Sequence, residues 1–289
     1  MTVDESRGCV YVIATPIGNL EDFSPRGQRV LREVGLIACE DTRRTAKLCT
    51  YFGIGTRRVS LHAHNEARRL PELLRQLARG GSLALVCDAG TPLLSDPGAR
   101  LVEAALAAGS RVVPVPGASA ILAALVASGL PTEPFSFVGF PPRRGTARST
   151  WLERLRGLDG SIVLFEAPGR VAATLADLER TLGPRRVAVA RELTKRFEEV
   201  VRGKLGDLDP RTLGELRGEV TLVVEGGASG VAADPDPDLS LEVDRLIDAG
   251  LADELGTREI ARRAADAFGI ARRDAYARVL ERARERDGD

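Results

Sequence analysis

The sequence predicts an α/β protein of two domains followed by a small all-α C-terminal domain. Three observations carry this expectation. Short apolar runs rich in Val, Ile and Leu alternate with helix-period stretches through residue 226, the pattern of sheets covered by helices. Several of these runs end in Gly- or Pro-bearing loops, where open α/β sheets hold their ligands. Beyond residue 238 only helical periodicity remains.

The 289 residues suffice for two domains and an addition. No apolar run reaches the 18 or more residues of a membrane span. The first residues, MTVDESRG, lack the basic-then-apolar pattern of a secretory leader, so a cytoplasmic location is expected. Cys9, Cys39, Cys49 and Cys87 are scattered without CxxC spacing and are expected to be reduced core residues, not a metal or disulfide framework. A net charge of zero speaks against a uniformly basic nucleic-acid binder and leaves room for a local basic patch.

In chain order, residues 9–14 (CVYVIA) form a strand that runs out into Thr15-Pro16-Ile17-Gly18-Asn19. Ser24-Pro25 is a cap followed by proline at the first helical position, with Val30, Leu31 and Val34 facing inward. Leu36 to Cys39 is a strand ending in the charged loop Glu40 to Arg44, and a short helix follows to Gly53. Val59 to Leu61 leads into His62-Ala63-His64-Asn65-Glu66. A helix with Leu70, Leu73, Leu74 and Leu77 on one face then returns the chain to Gly80-Gly81.

Leu83 to Cys87 has the apolar continuity of a strand buried on both faces. It breaks into Asp88-Ala89-Gly90-Thr91-Pro92 and again at Ser95-Asp96-Pro97-Gly98, where an acid before proline marks a helix start. Asp88 can accept hydrogen bonds from an amine or hydroxyl. A capped β-to-α turn explains the stretch equally well. Arg111 to Val115 and the turn Pro116 to Ala120 open the helix of residues 121–128. These five strands make a parallel domain over residues 1–130. The second domain, 131–226, carries strands at 135–140, 161–165, 186–190, 197–202 and 219–225, with helices at 147–157, 169–182 and 207–216. Residues 227–238 form a Pro/Gly-rich acidic linker. In the tail, 239–289, Ile260, Ala261, Ala264 and Ala265 line one helix, and Ala275, Val279 and Leu280 the next, as in a helix-turn-helix. From Leu255 to Arg286 nine arginines face five acids, which suits a solvated surface or RNA contact.

No GxGxxG follows the first strand and no GxxxxGK[ST] occurs, so dinucleotide and P-loop readings lack their mechanics. His62 and His64 have no third ligand nearby, and no metal is expected. What remains is a cleft of Gly/Pro loops with few charges for a polyphosphate. A ligand with a zwitterionic tail and an adenine fits it, as do many other small molecules.

The segments TPIGNLED (15–22), CEDTRRT (39–45), HAHNE (62–66), DAGTPLLSDPG (88–98), PGASA (116–120), FVGFPPR (137–143), FEAPGR (165–170), RELTK (191–195) and GEVTLVVEG (218–226) together resemble the bacterial small-subunit rRNA (cytidine-2′-O)-methyltransferases. The resemblance covers nearly the whole chain. It implies the two-domain tetrapyrrole-methylase-like (class III methyltransferase) fold, with S-adenosylmethionine in the cleft between the α/β domains and a decoding-centre cytidine of 16S rRNA as target. Carried onto matching positions, it implies that Pro16, Ile17, Asp88, Gly90, Thr91, Ser119 and Ala120 line the donor site. Phe165, Glu166, Leu193 and Thr221 hold the adenosine part from the second domain. The family also implies a homodimer, and a face around Leu122, Leu125 and Val126 is available for it or for the core. Where tetrapyrrole-acting relatives have Gly-Asp-Pro, this chain has Gly90-Thr91-Pro92, so Asp88 is expected to supply the carboxylate. Pro142 stands where leucine is expected, without functional consequence.

The implied chemistry is in-line attack of a ribose 2′-oxygen on a sulfonium methyl. His62, Glu66 and Lys195 are the expected candidates for the base, with Asp22 behind them. Arg43, Arg44, Arg143, Arg144, Arg272 and Arg273 are the expected RNA contacts. A tetrapyrrole methylase would need neither the arginines nor the tail. An RNA-binding assembly factor would not need intact Gly and Asp loops, and titration with the donor separates it from both enzymes.

Overall fold

The computed structural model describes residues 8–208, 218–227, 237–253, 255–268 and 272–287, with the side chains of 237–240, 272, 274 and 285–287 outside that description. The described residues divide into two compact units, one ending at Glu225 and one beginning at Gly226.

The first unit opens with β1 (Cys9–Ile13), α1 (Pro25–Glu33), β2 (Leu36–Cys39), α2 (Thr42–Tyr51), β3 (Arg58–Ser60), α3 (Glu66–Ala78), β4 (Leu83–Val86), α4 (Ala99–Ala107), β5 (Arg111–Val115) and α5 (Ala120–Ser128). All five strands are parallel in the order β3-β2-β4-β1-β5. Strand periodicity distributes the side chains: Ile37, Cys39, Ala84 and Val86 meet α1 and α2, while Leu36, Ala38, Leu83 and Leu85 meet α3 and α4. The loops after β1 and β4, neighbours in the sheet, therefore leave toward opposite faces. Ligands of open α/β sheets sit outside the strands' carboxyl ends near such a reversal.

The second half continues with β6 (Phe135–Phe137), α6 (Thr146–Arg156), β7 (Ser161–Glu166), α7 (Val171–Leu182), β8 (Arg186–Arg191), β9 (Glu199–Lys204) and β10 (Val220–Val224). Its sheet is mixed, in the order β6-β7-β10-β8-β9, with only β6 and β7 parallel. α6 and α7 cover one face through Leu155, Leu175 and Leu178. The other face is covered by α5, whose Ile121, Ala124 and Leu125 pack on Val163, Ala188 and Val223. The expected domain boundary at residue 130 thus follows a helix that packs on the sheet beyond it. The expected helix at 207–216 falls almost wholly outside the described residues.

The second unit holds α8 (Pro237–Ala252), α9 (Thr257–Phe268) and α10 (Arg272–Asp287), packed around Ile247, Ile260, Ala264, Ala275 and Val279. Leu280, expected inside, is 39% exposed. Part of the arginine excess is spent internally: Arg278 of α10 pairs with Asp244 of α8 at 2.7 Å, and Arg282 with Asp248 at 2.5 Å.

Candidate active site

Three loops of the first sheet converge. Thr15 and Gly90 exchange backbone hydrogen bonds of 2.9 and 3.0 Å, tying the β1 loop to the β4 loop. Gly90 sits at φ +80°, and a β-carbon there would lie 3.3 Å from Cγ2 of Ile17. The Thr91 hydroxyl donates to the Ala118 carbonyl at 3.2 Å, adding the β5 loop. Ser119 caps α5 by accepting from the Leu122 amide. The facing wall comes from Phe165, Thr221 and the turn at Leu193. A β-carbon on Gly18 would stand 3.0 Å from the Leu193 carbonyl oxygen, so glycine there lets the two walls approach. Between them lies a cavity of about 730 Å³, within the ~300–1,000 Å³ usual for small-molecule sites.

Backbone strain gathers at the same place. Among the described residues, the non-glycine positions with left-handed backbone are Leu93 (φ 76°), Ser95 (φ 73°), Glu192 (φ 49°) and Thr194 (φ 67°). Ser95 and Glu192 line the cavity, and the other two are within two residues of them. Such conformations cost about 1–3 kcal/mol each and cluster where a ligand site over-determines the backbone.

The lining holds five carboxylates, Glu40, Asp88, Asp96, Glu192 and Glu219, against two cations, Arg44 and Lys195. That balance suits a cationic ligand and opposes a polyphosphate. Asp88 accepts from the Asp41 amide at 3.1 Å and pairs with Arg44 at 3.3 Å. Lys195 pairs with Glu192 at 2.8 Å. Burial, with Glu219 and Asp88 adding repulsion, raises the Asp96 carboxyl above its ordinary range. Burial does the same to Glu40, aided by Asp88 and Asp96. A carboxyl raised in the folded state favours folding below its unfolded pKa and loses that contribution as pH rises through the folded value. Asp96→Asn is therefore expected to raise Tm at pH 7, with the gain vanishing near pH 4, while donor affinity falls. Thermal melts across that range, paired with donor titration, check it.

Of the residues expected at the donor site, Ile17, Asp88, Gly90, Thr91, Ser119 and Ala120 line this cavity from the first sheet's loops. Phe165, Leu193 and Thr221 line it from the second. Pro16 lies in a smaller neighbouring cavity of about 470 Å³. Glu166 lines neither. Its side chain is 0% exposed and accepts from Arg170, Thr174 and the Ala167 amide, because alternation along β7 turns it from the Phe165 face into the core.

The expected bases are also placed differently. Glu66 is buried, and its Oε1 accepts from the Leu101 amide at 3.2 Å, capping α4 from the start of α3 on the same face of the sheet. The expected start of that helix at Asp96-Pro97 gives way to Gly98, at φ 115°, and frees Ser95 and Asp96 to line the cavity. Glu66→Ala is expected to cost about 1–2 kcal/mol as a lost cap and to leave the single-turnover transfer rate unchanged. A rate falling with Tm intact would restore Glu66 as a base. His62 lines neither cavity, and its Nδ1 is buried without a hydrogen-bond partner among the described residues. Asp22 is exposed beyond the β1 loop and likewise lines neither. Lys195 does line the larger cavity.

Of the expected RNA contacts, Arg44 lines both cavities. Arg43 is exposed and bonded to Asp41, its helix cap, at 2.8 Å. Arg143 and Arg144 are exposed before α6, and Arg273 is exposed on α10. The side chain of Arg272 lies outside the described residues. Glu40, Leu94, Asp96, Phe140 and Glu219 were not expected at the cavity. Phe140 is the most legible of them, since its ring stands 5.4 Å from that of Phe165 and it belongs to the FVGFPPR segment.

A family model described as Tetrapyrrole (Corrin/Porphyrin) Methylases matches residues 9–209. The protein "Ribosomal RNA small subunit methyltransferase I" of Xylella fastidiosa is 45% identical over 273 residues, covering 93% of this chain and 98% of its own length. The protein of that name from Mycobacterium bovis is 43% identical over 98% of both chains. Among solved structures, diphthine synthase superposes with a TM-score of 0.60 at 18% identity, covering 75% of this chain and 89% of its own. Uroporphyrin-III C-methyltransferase of Thermus thermophilus, complexed with S-adenosyl homocysteine, superposes with a TM-score of 0.54 at 19% identity, covering 75% and 97%. At these identities the likeness is one of fold.

Proposed function

The chain belongs to the ribosomal RNA small subunit methyltransferase I family, within the tetrapyrrole methylases, and on that premise we propose that it methylates the ribose 2′-oxygen of a cytidine in 16S rRNA with S-adenosylmethionine as donor. The observation that carries the reading is the acidic cavity where the loops of β1, β4 and β5 meet Phe165, Leu193 and Thr221. Its chemistry fits the donor at both ends. Carboxylates at Asp88 and Asp96 match an ammonium and a sulfonium, and Phe165 with Phe140 offers ring surface to an adenine. Gly90 leaves open the space that a β-carbon would take beside Ile17.

When bound, the donor would supply a sulfonium methyl to the ribose 2′-oxygen: the O–C bond forms as the C–S bond breaks, its electrons remaining on sulfur, and the hydroxyl proton is released to solvent. The chain's contribution is to hold both reactants in line, a form of catalysis that can supply roughly 7–11 kcal/mol in well-oriented systems. Asp88, fixed by Arg44 and the Asp41 amide, orients the donor's charged end. Lys195, the ion-paired partner of Glu192, offers a positive contact in the same cavity. Arg44, Arg143, Arg144 and Arg273 supply salt-dependent RNA affinity. Charge removal there that leaves affinity and its salt slope unchanged would rule this out.

No helix among the described residues is long and apolar enough to cross a membrane, and the enzyme works in the cytoplasm on the small subunit. It acts as a homodimer, for which α5 offers Leu122 and Val126, 53% and 72% exposed, while Leu125 belongs to the core. Incubation with labelled donor and small subunits lacking this methyl group tests the activity. Label at a single cytidine that resists alkaline cleavage is expected. Label elsewhere, or none, overturns it.

A further inference from the structure

We propose that the smaller cavity, beside Arg44, receives the target nucleotide of a single-stranded RNA segment, with Tyr51 as its stacking face and Lys47 as its phosphate contact. The assignment rests on the methyl-transfer reading and names where the acceptor lies.

Position is the first argument. The two cavities share Ile17, Arg44, Asp88 and Ala89, so they adjoin along these residues and a nucleotide in the smaller one borders the larger one. Charge is the second. The donor cavity, with its carboxylate excess, is a poor place for a phosphodiester. The smaller cavity presents Arg44 and Lys47 against Asp88 alone, and that carboxylate is already engaged by Arg44.

The third argument is the construction of α2. Arg44, Lys47, Leu48 and Tyr51 follow the i, i+3, i+4, i+7 spacing that puts them on one helical stripe. Cys49, off that stripe, is buried in the core of the sheet. The Tyr51 ring is 67% exposed. It is steadied at its edge by Phe52, with centroids 4.9 Å apart at 78°, and Phe52 in turn by Phe23 at 5.3 Å. An exposed aromatic lining a cationic cavity is what base stacking requires. Leu20, 36% exposed, extends the apolar lip. The cavity volume of about 470 Å³ admits an unstacked nucleotide and not a duplex, which agrees with recognition of splayed bases in single-stranded RNA.

The test compares Tyr51→Ala, Tyr51→Phe and Lys47→Ala in two measurements. The first is S-adenosylmethionine affinity by calorimetry. The second is kcat/KM for small ribosomal subunits lacking the 2′-O-methyl group, measured as a function of salt. Tyr51→Ala is expected to lower kcat/KM roughly 5- to 150-fold, the range for losing one base stack, with donor affinity unchanged. Tyr51→Phe should keep most of the wild-type value. Lys47→Ala should flatten the log–log salt dependence by about 0.7, the loss of one single-strand phosphate contact. Wild-type kcat/KM and salt slope in both alanine variants would overturn the site while leaving the activity in place. A Tyr51→Phe variant as impaired as the alanine would overturn the stacking role. If the wild-type protein binds the donor but methylates no subunit, the reaction assignment falls and takes the acceptor site with it.

Discussion

Glu166→Ala is expected to lower Tm by roughly 6–20 °C while leaving S-adenosylmethionine binding intact in the protein that remains folded. Glu166 is 0% exposed and holds together a connected set of polar groups. Its Oε1 accepts from Arg170 Nε at 2.6 Å and from the Ala167 amide at 2.8 Å, and its Oε2 from the Thr174 hydroxyl at 2.6 Å. Thr174 in turn accepts from Arg148, which reaches Asp177 at 2.6 Å. Deleting the carboxylate strands the Arg170 guanidinium and the buried Thr174 hydroxyl. Removing one partner of a buried ion pair costs about 3–5 kcal/mol. In a unit of this size each kcal/mol moves Tm by about 2–4 °C. Scanning calorimetry and donor titration below the transition check both halves. Lost donor affinity at an unchanged Tm would return Glu166 to the adenosine site that its motif implies.

Gly90→Val is expected to weaken donor binding on the order of 10–100-fold, which is about 1.4–2.7 kcal/mol. At φ +80° a side chain is strained whatever the surrounding space, by about 1–2 kcal/mol per residue and more for a β-branched one. The backbone has little freedom to relax, because both the amide and the carbonyl of Gly90 are bonded to Thr15. The valine methyls would project against Ile17 and into the cavity. Gly53→Val provides the control. Gly53 has φ +63° and nothing within 4 Å of an added β-carbon, so that variant carries the strain without the intrusion. Calorimetric titration of both variants is decisive: wild-type affinity in Gly90→Val would show that the donor does not use this space.

Much of the candidate site is legible in the sequence. Glycine at 90 and at 18, the apolar continuity of Leu83 to Cys87, and the Gly-bearing turn of residues 116–120 that opens a helix are local signals whose meaning depends on a few neighbouring residues. The cavity indeed draws its first wall from the loops after β1, β4 and β5. The polar residues were harder to place. Glu66 and Asp96 are both acids beside a turn, and nothing adjacent in sequence separates them. One meets the Leu101 amide, 35 residues away, and becomes a buried cap. The other meets Asp88 and Glu219 and lines a ligand site. α5 has the same ambiguity, being apolar on nearly every face, and the β7, β8 and β10 side chains decide which face is covered.

By itself the sequence determined the order of strands and helices, the Gly-bearing loops and the family, because periodicity and turn chemistry act over a few residues. The tertiary structure alone decided which charges face the cleft and which are buried. It turned Glu166 inward, joined Arg44 to Asp88, and set Tyr51 at the mouth of a second cavity. The physical reason is that charges such as Arg44 and Asp88, or Glu66 and the Leu101 amide, take their roles from partners that lie far apart along the chain and meet only on folding.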